Sequence, residues 1–433
     1  MNRQKLFWML IQLLEKNHIQ YALVGRTEDY PNHIGSDIDI VIHPTEIEMF
    51  HKIIWSIETE EIKVVQMIQH EVVAFYYIVF CIKNHEILYV QPDICTDYYR
   101  KGRKLLEADY LLKDIAETPQ KGFRILTPEK EFIYYLLKKI DKQNFTIEHF
   151  EHLHNCYIQN PKGCMKECTT FWHDKLINII QKAFETNDLQ PITNNLSILQ
   201  QSIHNSKSIS LFDFISNALL KIKRILQPTG LIIGIMGPDG SGKTTVINQL
   251  IKDIGPAFRR IQQYHLFPIP ASKNTITVTT PHKFPPRNIF LSIAKLIYLV
   301  FLYNYGSLRY VLSAYIKSTL IIFDRYYDDI LIDPIRYRNN TPQYIIKILG
   351  KFIIYKPQIW IILDAPTSVI QNRKSEVTPE ETEKQRKGYI SFAHSRNNSL
   401  IVSTDRDVRK ISAEICSFIC NVLNKRLMKR LKK

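Results

Sequence analysis

The sequence lacks the marks of a secreted or membrane-spanning protein. Its seven cysteines are an odd number scattered over 433 residues, so no paired disulfide framework is visible. The apolar run from Leu6 to Leu14 is interrupted by Gln12 and has no small-residue cleavage site after it. The longest apolar run, 289–303, contains Lys295 and is shorter than the roughly 20 residues that cross a bilayer. These absences predict free thiols, a cytoplasmic location and no transmembrane segment.

Internal repeats, low-complexity tracts and recognisable nucleic-acid modules are also missing. Basic and aromatic residues do alternate at Arg336-Tyr337-Arg338, where ordinary surface and packing roles are favoured. Histidines and cysteines crowd residues 149–173, but their spacings fit no common zinc pattern, so a plain helical segment is favoured over a metal site. The members of this group are His149, His152, His154, Cys156, Cys164, Cys168 and His173.

Cations outnumber carboxylates, with a formal net charge of +15 and a pI near 9.3. Such a balance favours anionic partners, which include nucleotides, sugar phosphates, nucleic acid and anionic membrane surfaces. Charge alone does not choose among them, and it leaves a homodimer open as the oligomeric state.

Three regions follow one another along the chain. Residues 1–105 alternate helix and strand patterns and predict a small α/β domain. Residues 106–226 have helical periodicity and predict a helical middle domain. The cluster Gln227-Pro228-Thr229-Gly230 is a breaker suited to a domain boundary, so the third domain is predicted over 228–433.

A complete phosphate-binding motif opens the third domain. The apolar strand Leu231–Met236 runs into Gly237-x-x-x-x-Gly242-Lys243-Thr244, and a helical pattern follows. Glycines let backbone N–H groups turn toward phosphate oxygens, Lys243 would reach the β and γ phosphates, and Thr244 would hold Mg²⁺. The predicted nucleotide-binding residues are Gly237, Asp239, Gly240, Ser241, Gly242, Lys243, Thr244 and Thr245.

Two later strands end in polar residues. The strand 320–323 is followed by Asp324-Arg325-Tyr326, and the strand 359–363 is followed by Asp364. The carboxyl edge of a parallel sheet is where α/β ligand sites lie, so Asp324 and Arg325 are candidate catalytic residues. Arg373 and Arg386 lie on a charge-dense helical stretch, which fits a solvated face or an arginine-bearing lid equally well.

These residues resemble the thymidylate kinase group of nucleoside monophosphate kinases over residues 228 to about 425. The resemblance implies that Asp239 approaches the acceptor's sugar, that Arg325 grips the acceptor phosphate, and that Arg373 and Arg386 neutralise the transferring phosphoryl group beside Lys243 and Asp324. ATP and Mg²⁺ are the implied cofactors. Three features depart from the family pattern: the approach Ile235-Met236-Gly237, the segment after Tyr326, and the absence of an arginine in 264–268. Similar variants are found among bacterial surface-polysaccharide genes, where a sugar or polyol phosphate acceptor is conceivable.

Paired carboxylates stand in the first domain. Leu23-Val24-Gly25-Arg26 is followed by Gly35-Ser36 and then Asp37-Ile38-Asp39. Strand alternation puts Asp37 and Asp39 on one face, where they would hold Mg²⁺ together, with Asp93 as the third ligand. The arrangement resembles the DNA polymerase β-like nucleotidyltransferase superfamily over residues 18–100, although Arg26 replaces the usual Ser or Gly.

The sequence therefore predicts an α/β protein with a C-terminal parallel-sheet kinase domain, a nucleotidyltransferase-like N-terminal domain and a helical middle region. The leading hypothesis is an ATP-dependent phosphotransferase acting on a small anionic metabolite, either a nucleoside monophosphate or a sugar phosphate. Two alternatives stay open. One is a nucleotide-gated regulator with a silent transferase domain, and the other is a nucleotidyltransferase that modifies a macromolecule.

Overall fold

The computed structural model describes residues 2–35, 37–100, 102–117, 122–206, 211–270 and 285–431. The chain divides into two compact units, Met1–Cys81 with Leu88–Lys223, and Ile82–Ile87 with Arg224–Lys433. The domain boundaries placed after residues 105 and 226 stay predictions. The architecture is mixed α/β, as the sequence indicates.

The N-terminal unit is built on a mixed sheet. Its strands are β1 (Tyr21–Leu23), β2 (Asp37–Ile42), β3 (Ile62–Glu71), β4 (Ala74–Lys83), β5 (Glu86–Cys95), β6 (Tyr98–Arg100), β7 (Arg103–Leu106), β8 (Ala116–Glu117) and β9 (Arg124–Ile125). Within the described residues, seven of these form one sheet in the order β3-β4-β5-β2-β1-β9-β8, and β6 pairs with β7. Strand β2 runs parallel to β5 and antiparallel to β1.

Helices flank this sheet and continue beyond it. They are α1 (Arg3–Lys16), α2 (Ile47–Ser56), α3 (Ala108–Leu112), α4 (Pro128–Asp141), α5 (Ile147–Gln159), α6 (Pro161–Cys168), α7 (Asp174–Glu185), α8 (Gln190–Asn194), α9 (Leu196–Ser206) and α10 (Leu211–Leu226), with a 3₁₀ turn at Pro44–Glu46. Ala22 and Val41 of the sheet, and Val24 just after β1, share one buried cluster with side chains of α4 to α9. Helix α4 sits at the centre of that cluster, because Phe132, Leu136 and other residues around the helix are buried.

The C-terminal unit is built on a parallel sheet. Its strands are β10 (Leu231–Met236), β11 (Arg260–His265), β12 (Thr319–Asp324), β13 (Ile359–Asp364) and β14 (Ser399–Ser403). Their order in the described chain is β11-β12-β10-β13-β14, and every pairing is parallel. Strand β10 is central and buried along its whole length. The predicted strands β10, β12 and β13 are confirmed. The edge strand β11 was missed because its polar residues do not form an apolar run.

Helices cover both faces of the parallel sheet, as right-handed crossovers require. They are α11 (Lys243–Ile254), α12 (Ile289–Gly306), α13 (Leu312–Ile316), α14 (Asp329–Ile332), α15 (Gln343–Lys351), α16 (Thr367–Arg373), α17 (Pro379–His394) and α18 (Val408–Leu431). A 3₁₀ turn lies at Gly255–Ala257 and a π-helical turn at Ser307–Val311.

The apolar run at 289–303 is part of a longer helix than its sequence suggested. The π-helical turn joins α12 to α13, so the helix extends over Ile289–Ile316, 28 residues. By length and composition alone it would cross a membrane, although a core helix passes the same test. Side chains such as Leu296, Val300 and Tyr303 are buried in the C-terminal unit. The absence of a transmembrane segment stays a prediction.

Candidate functional site

The predicted phosphate-binding loop lies between the central strand and the helix after it. Strand β10 ends at Met236 and α11 begins at Lys243, so the loop spans 237–242. Gly242 precedes the helix with φ of 82°, a left-handed conformation that glycine adopts without strain. The loop therefore presents its backbone at the positive end of the α11 dipole, where anions bind.

Two further glycines let the loop pack tightly against neighbouring backbone. A Cβ on Gly237 would stand 2.4 Å from the carbonyl oxygen of Leu363 and 2.8 Å from the Ser241 hydroxyl. A Cβ on Gly240, whose φ is 84°, would stand 2.8 Å from the carbonyl oxygen of Ile370. Backbone atoms cannot move aside as a flexible side chain does. The motif glycines are thus required by the fold of this loop as well as by phosphate binding.

Replacing Gly237 by alanine is expected to weaken ATP binding by about 5- to 150-fold, because relieving the collision displaces the loop at a strain cost of about 1–3 kcal/mol. Gly255→Ala is the matched control, since its added Cβ would meet only Ile261 Cδ1 at 3.6 Å. Calorimetric titration with ATP measures both affinities. Equal affinities for the two variants would show that the close approach at Gly237 does not shape the loop.

Lys243 is buried and points back into the loop. Its Nζ donates to the carbonyl oxygens of Gly237 at 2.9 Å and Pro238 at 2.8 Å, and it lies 3.5 Å from Asp239 Oδ1. Burial, and then the nearby Arg325 guanidinium, lower the pKa of Lys243 to about 8. An anion in the loop would favour the charged form and raise this pKa again, so the ammonium is arranged to favour phosphate.

Asp239 gathers two arginines at the mouth of the loop. Arg325 Nη2 donates to its Oδ1 at 2.5 Å, and Arg336 Nη1 donates to its Oδ2. Burial opposes ionisation of Asp239, but Arg325, Lys243 and Arg336 outweigh it and hold its pKa well below the usual range. Three cations therefore converge on this carboxylate, an arrangement that attracts a further anion.

Arg325 is itself fixed by a buried polar cluster. Its Nη1 donates to Asp329 Oδ2 at 2.7 Å and to the Tyr389 hydroxyl at 3.0 Å. Asp329 also accepts hydrogen bonds from the hydroxyls of Tyr337 and Tyr389, both at 2.6 Å. The backbone φ of Arg325 is 69°, which a non-glycine residue adopts only when its surroundings impose it. The guanidinium is consequently held in one orientation toward Asp239.

A carboxylate and a hydroxyl lie beside the loop with oxygens that lack a partner among the described residues. Asp324 Oδ1, at the end of β12, and Ser241 Oγ are both buried without a hydrogen bond there. Burial raises the pKa of Asp324, but the hydrogen bond from His265 and the charge of Lys243 lower it by more. The net pKa is below its usual value, so the carboxylate is ionised. Thr244 is exposed on the first turn of α11. Hydroxyl and carboxylate oxygens are ligands suited to Mg²⁺, and these donors fit it.

Arg373 and Arg386, the two arginines of the charge-dense helical stretch, occupy different positions. Arg373 donates to Thr404 O at 3.0 Å, and its Nη1 would lie 3.9 Å from a Cβ on Gly242. Arg386 grips Asp364 with two hydrogen bonds, of 2.8 and 3.0 Å. Arg373 therefore lies next to the loop, whereas Arg386 is paired with the carboxylate of Asp364. Their roles in phosphoryl transfer stay predictions.

Sequence reasoning missed Arg336 and the cluster behind Arg325. Arg336 belongs to the basic and aromatic stretch for which surface and packing roles were favoured, yet it faces Asp239 across 97 positions of sequence. Asp329 was visible in the sequence only as one of several acids after Tyr326. The sequence feature that could have indicated both residues is the series of acids and arginines that follows β12.

The N-terminal carboxylates are brought to neighbouring strands. In the parallel pairing of β2 with β5, Asp39 stands opposite Asp93 and Asp37 opposite Gln91. Burial, and then Asp39, raise the pKa of Asp93 to about 7. A charged carboxylate nearby disfavours ionisation of a second one, so a contribution of this kind indicates that the two acids are closely spaced. The register therefore places Asp39 and Asp93 together, with Asp37 two residues away along β2.

Other side chains contact these acids. Lys138 Nζ donates to Asp39 Oδ2 at 2.9 Å, and the Tyr76 hydroxyl donates to Asp37 Oδ1 at 3.1 Å. Among the described residues, no group of three or more His, Cys, Asp or Glu is arranged to hold a metal ion. Ser36, which precedes Asp37, lies outside the described residues. The metal role of Asp37, Asp39 and Asp93 stays a prediction.

The histidine and cysteine group of the middle region is divided between core and polar contacts. Cys156, Cys164 and Cys168 are free thiols buried in the helical core. His152 lies between Glu28 and Glu131, whose hydrogen bonds outweigh burial and raise its pKa to about 9. Glu131 also accepts the backbone N–H of Gly25, so this histidine supports the turn after β1.

No protein-family model matches the chain, and no curated protein matches it. Among solved structures, the chain is similar to a thymidylate kinase from Ehrlichia chaffeensis, with 16% sequence identity and a TM-score of 0.31. That match covers 47% of this chain and 100% of the kinase chain. The parallel sheet of the C-terminal unit, with a phosphate-binding loop after its central strand, fits a P-loop kinase fold.

Proposed function

We propose that the C-terminal unit is an ATP-dependent phosphotransferase whose acceptor is a small molecule that already carries a phosphate. The observation behind this proposal is the convergence of Lys243, Arg325 and Arg336 on Asp239. A loop and one lysine are enough to bind a nucleotide. The two additional guanidinium groups, which are paired with the same carboxylate, would bind a second anionic group.

The donor would be bound by the loop. Backbone N–H groups at the start of α11 would contact the phosphates of ATP, and Lys243 would move from the loop carbonyls to phosphate oxygens. Thr244 and Asp324 would hold Mg²⁺, which supplies charge compensation for the phosphates when bound. Arg373, beside Gly242, would lie nearest to the transferring group.

The acceptor would be bound by the arginine pair. Arg325 and Arg336 would exchange part of their contact with Asp239 for the acceptor's phosphate, whose oxygen attacks the γ-phosphorus of ATP. The bond from the γ-phosphorus to the ADP oxygen breaks as the bond to the acceptor forms, and ADP leaves. Catalysis in such a transfer consists of positioning and charge stabilisation, which these fixed cations supply.

The experiment is an acceptor screen with the purified full chain. ADP release from ATP is measured with dTMP, other nucleoside monophosphates and sugar phosphates, and with the matching unphosphorylated nucleosides and sugars. A phosphorylated acceptor should stimulate turnover where its unphosphorylated partner does not. Tight ATP binding without stimulation by any acceptor would instead support a nucleotide-gated regulator.

Arg336→Gln is expected to raise the KM for the acceptor by about 10- to 100-fold, because one charge-assisted contact to phosphate is lost, while ATP affinity changes little. Arg338→Gln is the matched control, since the Nε of this neighbour donates to Pro285 O instead. Steady-state kinetics at saturating ATP separates the two constants. A change in ATP affinity larger than the change in acceptor KM would place Arg336 on the donor side.

A second candidate function, nucleotidyl transfer by the N-terminal unit, is favoured by the register of Asp39 with Asp93. With ATP labelled at the α-phosphate, Asp39→Asn is expected to abolish transfer of label to an acceptor, since paired carboxylates are needed to hold the metal ions. Asp109→Asn, which alters an exposed carboxylate, is the control. Transfer of α-label that survives Asp39→Asn would exclude Asp39 as a required metal ligand, and label that appears only from γ-labelled ATP would exclude nucleotidyl transfer.

A further inference from the structure

The long helix over Ile289–Ile316 carries a stripe of exposed apolar side chains. Phe290, Ile297, Phe301, Tyr305 and Leu308 recur at spacings of three, four and seven residues, which place them on one side of an α-helix. Phe290 is 81% exposed and Phe301 is 63% exposed, although both side chains are large and apolar. Large apolar patches of this kind mark interaction surfaces.

The stripe continues onto α15. Tyr344, Ile348, Phe352 and Ile354 are also exposed. The side chain of Asn304 joins the two elements, because it donates to Phe352 O at 3.0 Å and accepts from the Ile354 N–H at 3.0 Å. We refer to these nine side chains, five from the long helix and four from α15 and the residues after it, as the apolar face.

The two stretches of sequence that carry the apolar face have charges of one sign. The sequence has no Asp or Glu between Asp253 and Asp324, and none between Asp333 and Asp364. The same two stretches carry exposed cations, which include Arg287, Arg309, Lys317, Lys347, Lys351 and Lys356. Exposed aromatic and aliphatic side chains flanked by Lys and Arg are the pattern of helices that lie on anionic lipid surfaces.

The opposite side of the helix is anchored in the protein. Leu296, Leu299 and Tyr303 are packed in the hydrophobic core of the unit, and Lys295 Nζ donates to Tyr337 O at 2.8 Å. A transmembrane orientation would strip these contacts and place Lys295 in hydrocarbon. The helix is thus arranged to lie along a surface with one side in the protein and the other facing outward.

We propose that the apolar face docks the C-terminal unit on an anionic phospholipid bilayer. The aromatic and aliphatic side chains would enter the interface between headgroups and acyl chains, and the cations would contact lipid phosphates. A second copy of this chain fits less well, because two cation-bearing faces without carboxylates would repel each other. The surface is separate from the loop, so docking does not depend on the phosphotransferase activity.

Co-sedimentation with vesicles tests the proposal, using the full chain without nucleotide. Vesicles of phosphatidylcholine containing phosphatidylglycerol are expected to bind the protein, and pure phosphatidylcholine vesicles are not. Lys347→Glu with Lys351→Glu should lower the partition coefficient at least about 25-fold, taking about fivefold for each cation removed. Phe290→Ser with Phe301→Ser should abolish most of the remaining binding, because the apolar contribution is lost.

Matched controls are available in the N-terminal unit. Lys175→Glu with Lys182→Glu changes two exposed lysines of α7, and Ile158→Ser changes an isoleucine that is 62% exposed on α5. Neither should alter vesicle binding. If the phenylalanine variant fails to fold, judged by thermal unfolding, the lysine variant decides alone.

Two results would overturn the proposal. Equal binding to both kinds of vesicle would overturn the recognition of anionic lipid, and equal loss in the control variants would remove any role for the apolar face. Self-association that disappears in Phe290→Ser, without binding to anionic vesicles, would show that a second copy covers this face.

Discussion

Replacing Lys243 by alanine is expected to lower acceptor-dependent ADP release by about a thousandfold or more, the scale of losing one fixed cation from a phosphoryl-transfer site. The ammonium is buried against the carbonyls of Gly237 and Pro238, so no neighbouring side chain can take over its place. Burial already lowers its pKa to about 8, which means that the fold bears a cost to keep this charge inside. Such a cost is understandable where a bound phosphate offsets it.

Lys252→Ala is the matched control for this prediction, since Lys252 is exposed in the last turn of the same helix. Activity is measured with the best acceptor from the screen, and ATP affinity by calorimetry. Lys243→Ala should lose both, and Lys252→Ala should lose neither. Activity in Lys243→Ala within tenfold of the unmodified chain would contradict the proposed phosphotransferase.

Replacing Arg325 by leucine is expected to destabilise the C-terminal unit by about 3–5 kcal/mol, because a buried carboxylate is left without its cation. The side chain of Asp329 is fully buried and that of Arg325 is only 3% exposed. Acceptor-dependent turnover should fall as well, since Arg325 would hold the acceptor's phosphate. Hydrogen exchange of the β10 and β12 amides measures the stability of this unit separately from the other.

A double variant separates the two roles of Arg325. Arg325→Leu with Asp329→Leu removes both buried charges and should recover part of the lost stability, while turnover stays low. Arg406→Leu, which breaks an ion pair with Glu414 whose side chains are 39% and 38% exposed, should change stability by less than about 1 kcal/mol. If the double variant regains turnover along with stability, Arg325 has a structural role and the acceptor's phosphate is bound elsewhere.

The phosphate-binding loop could be predicted because its requirements are local. The strand before it, the glycines and the lysine lie within thirteen consecutive residues, Leu231 to Lys243, and each has a backbone or chemical reason to be there. The buried strands β12 and β13 were likewise visible as apolar runs ending in Asp324 and Asp364. The edge strand β11 had no such run, since solvent rather than a helix covers much of it.

The partners of the charged residues could not be predicted in the same way. Asp239 meets Arg325 over 86 positions of sequence and Arg336 over 97, and Lys138 meets Asp39 over 99. No periodicity or spacing rule connects residues so far apart. The order of the strands in the sheet and the packing of the helices that connect them determine which guanidinium reaches which carboxylate.

The sequence by itself determined the phosphate-binding loop, the strand ends that carry Asp324 and Arg325, and the paired acids of the first domain, because each depends on a short stretch of backbone. Tertiary structure alone decided that Asp239 holds two arginines, that Arg386 is bound by Asp364, and that the long apolar helix leaves one side uncovered. These outcomes depend on how distant elements pack. The free energy of burying or pairing a charge is fixed only when its neighbours are in place.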